Sequence, residues 1–148
     1  MRIRVSAVYE ANNSILCMKY IYGGQPVYAL PGGGVDKGRP VLEALRAEWK
    51  EELGVKLEAG PILLVGEAPA AKRHPQTLHL IFLAAAVHGT PKVRPQHTHS
   101  QEVFWLPLGE LGKCALYPDV GGRLAPLLAQ PEPKTIDFVA NCMERGYW

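Results

Sequence analysis

Cysteine is scarce in this chain: Cys17, Cys114 and Cys142 form no C-x-x-C pair and are odd in number. That excludes a disulfide framework and a cysteine-based zinc site, and leaves reduced, mostly buried thiols as the expectation. An excess of one charge is lacking too, since 16 Lys and Arg stand against 14 Asp and Glu for a net +2. So small a balance argues against nucleic-acid or membrane partners. The longest apolar run, Leu80–Val87, falls well short of the roughly 20 residues a membrane helix needs. The opening MRIRVSAVYEANN has no apolar stretch of signal-peptide type, so a cytoplasmic location is expected. Internal repeats and low-complexity tracts are absent. What remains is an ordinary globular composition, 47% hydrophobic and 20% charged over 148 residues, which suits a single domain spanning 1–148 with one core.

Alternation of Ile3, Val5, Ala7 and Tyr9 with Arg2, Arg4 and Ser6 predicts a strand over Arg2–Tyr9. After an Asn-Asn turn, the strand-forming run Ser14–Tyr22 completes a hairpin. Pro26–Leu30 reads as a third strand before the sharp Pro31-Gly32-Gly33-Gly34 loop. The best-defined element is a helix from Pro40, with Leu42, Leu45, Trp49 and Leu53 on one stripe and Gly54 as its C-terminal cap. Further strands are expected at Val55–Leu57, Ile62–Glu67 and Leu78–Val87, the last apolar enough to be central in its sheet. His88–Ser100 is polar, with two prolines and three histidines, and reads as a mobile loop. A strand at Glu102–Leu106, a helical turn at Leu108–Leu111 and helices at Val120–Leu128 and Ile136–Met143 complete the chain.

On the predicted helix, Glu48, Glu51 and Glu52 stand three and four residues apart and share one face, away from the Leu42, Leu45, Trp49 stripe. Three carboxylates there repel one another by a few tenths of a kcal/mol per pair. The helix C-terminal end disfavours each by roughly 0.3–1 kcal/mol. A bound divalent cation reverses both terms, and oxygen-only ligands suit Mg²⁺ or Mn²⁺. A solvated acidic face tempered by Lys50 and Lys56 explains the same pattern.

The glycine loop matches neither G-x-x-x-x-G-K-[ST] nor G-x-G-x-x-G, because Lys37 stands where the third glycine of the latter falls. Taken together with the helix, however, LPGGGVDKGRPVLEALRAEWKEELGV resembles the Nudix box, G-x5-E-x7-R-E-U-x-E-E-x-G-U with U a bulky apolar residue. Gly33, Glu48, Trp49, Glu51, Glu52, Gly54 and Val55 match. Arg39 stands where the family has its first Glu, and Ala47 where it has its Arg. EVFWLPLGEL, Glu102–Leu111, is similar to the family's late strand and following turn.

The resemblance implies an α+β Nudix fold, a mixed β-sheet sandwiched between α-helices. It implies Mg²⁺- or Mn²⁺-dependent hydrolysis, by water, of a diphosphate bond in a nucleoside diphosphate joined to another group, with Glu48, Glu51 and Glu52 as metal ligands. The substrate is then a nucleotide-like small molecule, and family precedent allows a homodimer. Glu51 and Glu52 become catalytic candidates; for the general base, Glu102 is the first candidate and Glu52 the second. Gly33 and Gly34 are candidates for close backbone approach to the substrate, and Lys19, with Lys72 and Arg73, for contact with its phosphates. Tyr20, Tyr22 and Tyr28 crowd the strands before the loop, where Tyr28 is a candidate aromatic surface for a base, although packing explains all three. His97 and His99 lack the further ligands of a zinc site, and His79, in an apolar strand, is expected as a hydrogen-bonded core or sheet-face residue. The Arg39 and Ala47 departures keep open a second reading, a catalytically silent Nudix-fold module that binds nucleotides.

Overall fold

The computed structural model describes residues 1–131 and 136–145. Its elements run β1 (Arg2–Val8), β2 (Glu10–Ala11), β3 (Ser14–Tyr22), β4 (Gln25–Ala29), β5 (Gly32–Gly34), α1 (Val41–Leu53), β6 (Lys56–Ala68), β7 (Thr77–His88), β8 (Glu102–Pro107), a single 3-10 turn (Leu108–Glu110), β9 (Leu116–Tyr117), α2 (Gly121–Ala129) and β10 (Asp137–Val139). The strands form two mixed sheets. One has the order β10-β6-β7-β1-β5; the other is β2-β3-β4-β9, with β8 also paired to β3. The α+β class expected from the sequence holds, with two sheets where one was anticipated.

Period-2 alternation places the helices. Val5 and Ala7 of β1, with Leu16 and Met18 of β3, pack on Ala44, Leu45, Trp49 and Leu53 of α1. Their neighbours Val8, Ile15 and Cys17 join Leu124 and Leu127 of α2 in a second buried cluster. Complete burial of a Leu or Trp contributes on the order of 2 kcal/mol or more, so α1 is fixed mainly by its stripe, as the spacing predicts. Gly54 ends it in the left-handed conformation at φ 69°, donating its N–H to the Lys50 carbonyl.

Four sequence expectations are corrected. β1 does not pair with β3. The hairpin is confined to β2 and the start of β3 around Asn12 and Asn13, both at positive φ, while β1 lies between β7 and β5 in the other sheet. Its Arg4 and Ser6 are therefore not a solvent face: Ser6 is only 1% exposed. Val55–Leu57 and Ile62–Glu67 merge into β6, which absorbs Gly60 and Pro61 through irregularities in its pairing with β7. Ile136–Met143 is not helical, because Asp137–Val139 extends the sheet as a parallel neighbour of β6. Finally, the polar loop after β7 is tied down. Lys92 and Arg94 donate backbone N–H groups to the Leu53 and Glu52 carbonyls, and the Arg94 guanidinium bonds the Lys50 carbonyl at 3.1 Å. The two backbone donors satisfy carbonyls left open at the end of α1, the guanidinium adds a second bond to the Lys50 carbonyl already engaged by Gly54, and Arg94 sets a cation at the helix's negative pole. β7 is central in its sheet, as its apolar run predicts.

Candidate active site

The site is built where α1 crosses β5. Trp49 anchors the crossing by donating its indole N–H to the Pro31 carbonyl at 3.1 Å, wholly buried. β5 pairs with β1 through Val5 opposite Gly33 and Ser6 opposite Gly32. At Gly33 the approach is so close that a Cβ would lie 2.3 Å from the Glu48 carboxyl carbon, whereas at Gly32 it would lie 2.0 Å from the backbone oxygen of Val5. One glycine therefore admits the strand pairing and the next admits the carboxylate. Gly34 is exposed and has open space where a side chain would be.

Glu48 and Glu52 are half-buried on this face, and Glu51 is exposed. Burial raises the Glu48 pKa, with repulsion from Glu51 and Asp36 adding to it and Arg4 and Arg39 opposing. Burial also pushes Glu52 from 4.5 up to about 7, reinforced by Glu48 and Glu51 and opposed by Arg4. Among the described residues none of the three carboxylates forms an ion pair, and no three acidic, His or Cys side chains make a closed metal cage. The donor set still fits a hard cation. Mg²⁺ retains several waters and takes one or two carboxylates together with substrate oxygens, and these half-buried, mutually repelling carboxylates have no ion-pair partner among the described residues, the nearby arginines only partly offsetting their repulsion.

The other candidates separate. Lys19 and Glu102 lie opposite each other on β3 and β8 and form a 3.3 Å ion pair with Glu102 55% exposed; Glu102 is not among the groups that shift Glu48 or Glu52. Tyr28 packs its ring on Phe104 at 4.7 Å, against the α2-side core. Tyr20 and Tyr22 instead stack at 6.0 Å and line a cavity of about 340 Å³ with Arg4, His79 and Tyr117. This cavity adjoins the acidic face, since Tyr20 lies in the field of Glu52 and Arg4 in that of both half-buried carboxylates. Arg4 and Tyr117 carry no signal in the sequence that marks them as cavity residues, since Arg4 reads there only as one polar position of an alternating strand. His79 is buried, but among the described residues neither ring nitrogen has a hydrogen-bond partner. Burial and Arg4 hold its pKa down at about 4, so the ring is neutral. His97 and His99 lie in the tethered loop, with Thr98 between them bonded to the Tyr20 hydroxyl.

Two mixed sheets with two helices, and a glycine-lined acidic face on the first helix, define a small α+β protein. Comparison with known proteins gives the family: the NUDIX domain profile matches residues 1–130, and the chain belongs to the NUDIX family, whose members hydrolyse pyrophosphate linkages. No curated protein matches the chain. Among solved structures, a MutT NUDIX hydrolase from Burkholderia pseudomallei is 27% identical with a TM-score of 0.69, covering 87% of this chain and 98% of its own. The solution structure of the E. coli ORF135 protein is similar at TM-score 0.76 and 20% identity, covering 90% of this chain and 95% of its own. An ADP-ribose pyrophosphatase from Streptococcus suis is similar at 0.63 and 17%, covering 93% and 98%. These last two likenesses are of fold. No helix among the described residues is long and apolar enough to cross a membrane.

Proposed function

We propose that the chain hydrolyses a diphosphate bond in a nucleotide-like small molecule, a nucleoside diphosphate joined to another group, with Mg²⁺ or Mn²⁺ held by Glu48, Glu51 and Glu52. The observation that carries this reading is the pair of half-buried carboxylates, Glu48 and Glu52, each raised in pKa and without an ion-pair partner among the described residues. The metal supplies neutralisation of the phosphate charge and a template for in-line attack by water. Glu52 is the proposed base, because it is half-buried on the acidic face whereas Glu102 is exposed and engaged by Lys19. Lys19 and the backbone at Gly33 and Gly34 are proposed contacts for the substrate's phosphate end.

Arg39 and Ala47 depart from the box, which would suit a silent binding module. Arg4 answers that departure: it reaches from β1 to act on both Glu48 and Glu52, so positive charge at the carboxylates does not depend on position 47. The test is phosphate release, through a coupled phosphatase, from nucleoside diphosphate sugars, dinucleotides and nucleoside triphosphates with Mg²⁺ or Mn²⁺. Metal-dependent turnover that disappears in Glu52→Gln supports the reading. No turnover on any of them, with nucleotide binding retained, replaces it with the binding module.

A further inference from the structure

Folded proteins leave few buried polar atoms unpaired, and each one asks for an explanation. Among the described residues there are four such side-chain atoms: Arg4 Nε, Ser6 Oγ, and both His79 ring nitrogens. They are not scattered. Arg4 and His79 are directly opposite in the β1–β7 pairing, and Ser6 lies two residues further along β1, so all four sit on one face of two adjacent strands. Arg4 and His79 line the 340 Å³ cavity, whose size lies at the lower end of the range for small-molecule pockets, about 300–1,000 Å³.

The cavity walls are aromatic. Tyr20 and Tyr22 stack nearly parallel, 17° apart, on one side. Tyr117 meets His79 in a T-shaped arrangement with ring centres 5.5 Å apart, and the guanidinium carbon of Arg4 lies 5.1 Å from the Tyr117 ring centre. Among the described residues Arg4 is otherwise held by one side-chain bond, from Nη2 to the Gly32 carbonyl at 3.1 Å, and is half-buried. Flat aromatic walls suit a flat ligand. Unpaired donors from a guanidinium beside a neutral imidazole, itself donor on one nitrogen and acceptor on the other, suit a ring carrying both acceptors and donors at its edge.

We infer that Arg4 and His79 determine specificity by reading the hydrogen-bonding edge of a nucleobase held against Tyr20, Tyr22 and Tyr117. The inference rests on the reading of the substrate as a nucleotide and assigns the base end to this cavity, with the phosphates extending to the acidic face that Arg4 adjoins. Arg4 Nε and both His79 nitrogens have no partner among the described residues, which makes a mismatched base costly: it leaves buried groups unpaired in the complex.

The test is calorimetric titration of the metal-free protein with AMP, GMP, CMP and UMP, and with ribose 5-phosphate as the base-free control. At least one nucleotide is expected to bind about tenfold or more tightly than ribose 5-phosphate. His79→Leu is expected to abolish the preference among bases while leaving ribose 5-phosphate binding unchanged, and Arg4→Lys to weaken the preferred nucleotide most. Because a core variant can fail to fold, the His79 imidazole is also followed by NMR in the wild-type protein, where the preferred nucleotide is expected to shift its ring resonances. Equal binding of all five compounds, binding of none, an undiminished preference in folded His79→Leu, or unmoved His79 resonances overturns the inference. Hydrolysis without base preference removes this inference and leaves the proposed reaction; base preference without hydrolysis does the reverse.

Discussion

Replacing Gly33 by alanine separates the role of the glycine loop in the site from its role in the fold. An alanine Cβ there would sit 2.3 Å from the Glu48 carboxyl carbon and 2.5 Å from its Oε1, against ordinary contact of about 3.4 Å or more. The atoms that must yield are the end of a flexible side chain, so the carboxylate moves by about 1 Å while the backbone keeps its place. A displacement of that size at a positioned catalytic group corresponds to a loss of about 10²-fold in rate. At Gly32 the same methyl group would meet the Val5 carbonyl oxygen at 2.0 Å, and no side chain can give way. Gly32→Ala is therefore expected to disrupt β1–β5 pairing and lower stability by about 3 kcal/mol or more. The measurements are kcat and the Mn²⁺ dissociation constant beside the thermal midpoint of each variant. Gly33→Ala should lose about 10²-fold in kcat and bind Mn²⁺ more weakly, with a melting temperature within a few degrees of wild type. A Gly33→Ala protein with full activity, or one that unfolds as Gly32→Ala does, would refute the reasoning.

The remaining predictions concern charge and anchoring. In the metal-free protein Glu52 holds its proton up to about pH 7 when folded but only to about 4.5 as an ordinary carboxyl. The native state thus binds more protons between those values, and stability falls as pH rises through that window and levels off above it. Glu52→Gln should remove about 1–2 kcal/mol of that decline after allowance for solvent screening, measured by denaturant melts from pH 4.5 to 8. Trp49→Phe should destabilise by about 1–2 kcal/mol through the lost indole bond to the Pro31 carbonyl, which keeps its bond from the Ala7 N–H, and through lost packing, and should lower activity by loosening α1 on β5, read from melts and initial rates. Arg94→Ala should cost about 0.5–1 kcal/mol and increase amide exchange over the loop after β7, measured by hydrogen–deuterium exchange.

Legibility in the sequence followed the physics of each segment. Helix α1 could be read almost to the residue because a repeated apolar stripe and a capping glycine act locally, and the same stripe put Glu48, Glu51 and Glu52 on one face. β7 could be placed at the centre of its sheet because a strand buried on both faces has no polar alternation. Pairing was another matter. Whether β1 joins β3 or β7 depends on contacts between distant segments, and the Asn12-Asn13 turn suggested the nearer partner. The hairpin reading leaves β1 away from β7, and with it the pairing of Arg4 opposite His79 that forms part of the cavity. Ile136–Met143 was taken for a helix for a similar reason: the open edge of β6 that Asp137–Val139 joins is invisible in local spacing. His79 stood out as a polar residue in an apolar strand, yet its unpaired nitrogens became visible only beside Arg4 and Tyr117.

The central claim is that the acidic face of α1 binds the divalent cation on which hydrolysis depends. It is tested most directly by titrating Mn²⁺ into the wild type, Glu48→Gln and Glu52→Gln, following free Mn²⁺ by electron paramagnetic resonance. The account predicts a site in the wild type that either substitution weakens at least about tenfold while both variants remain folded. Equal Mn²⁺ binding in all three proteins would contradict it.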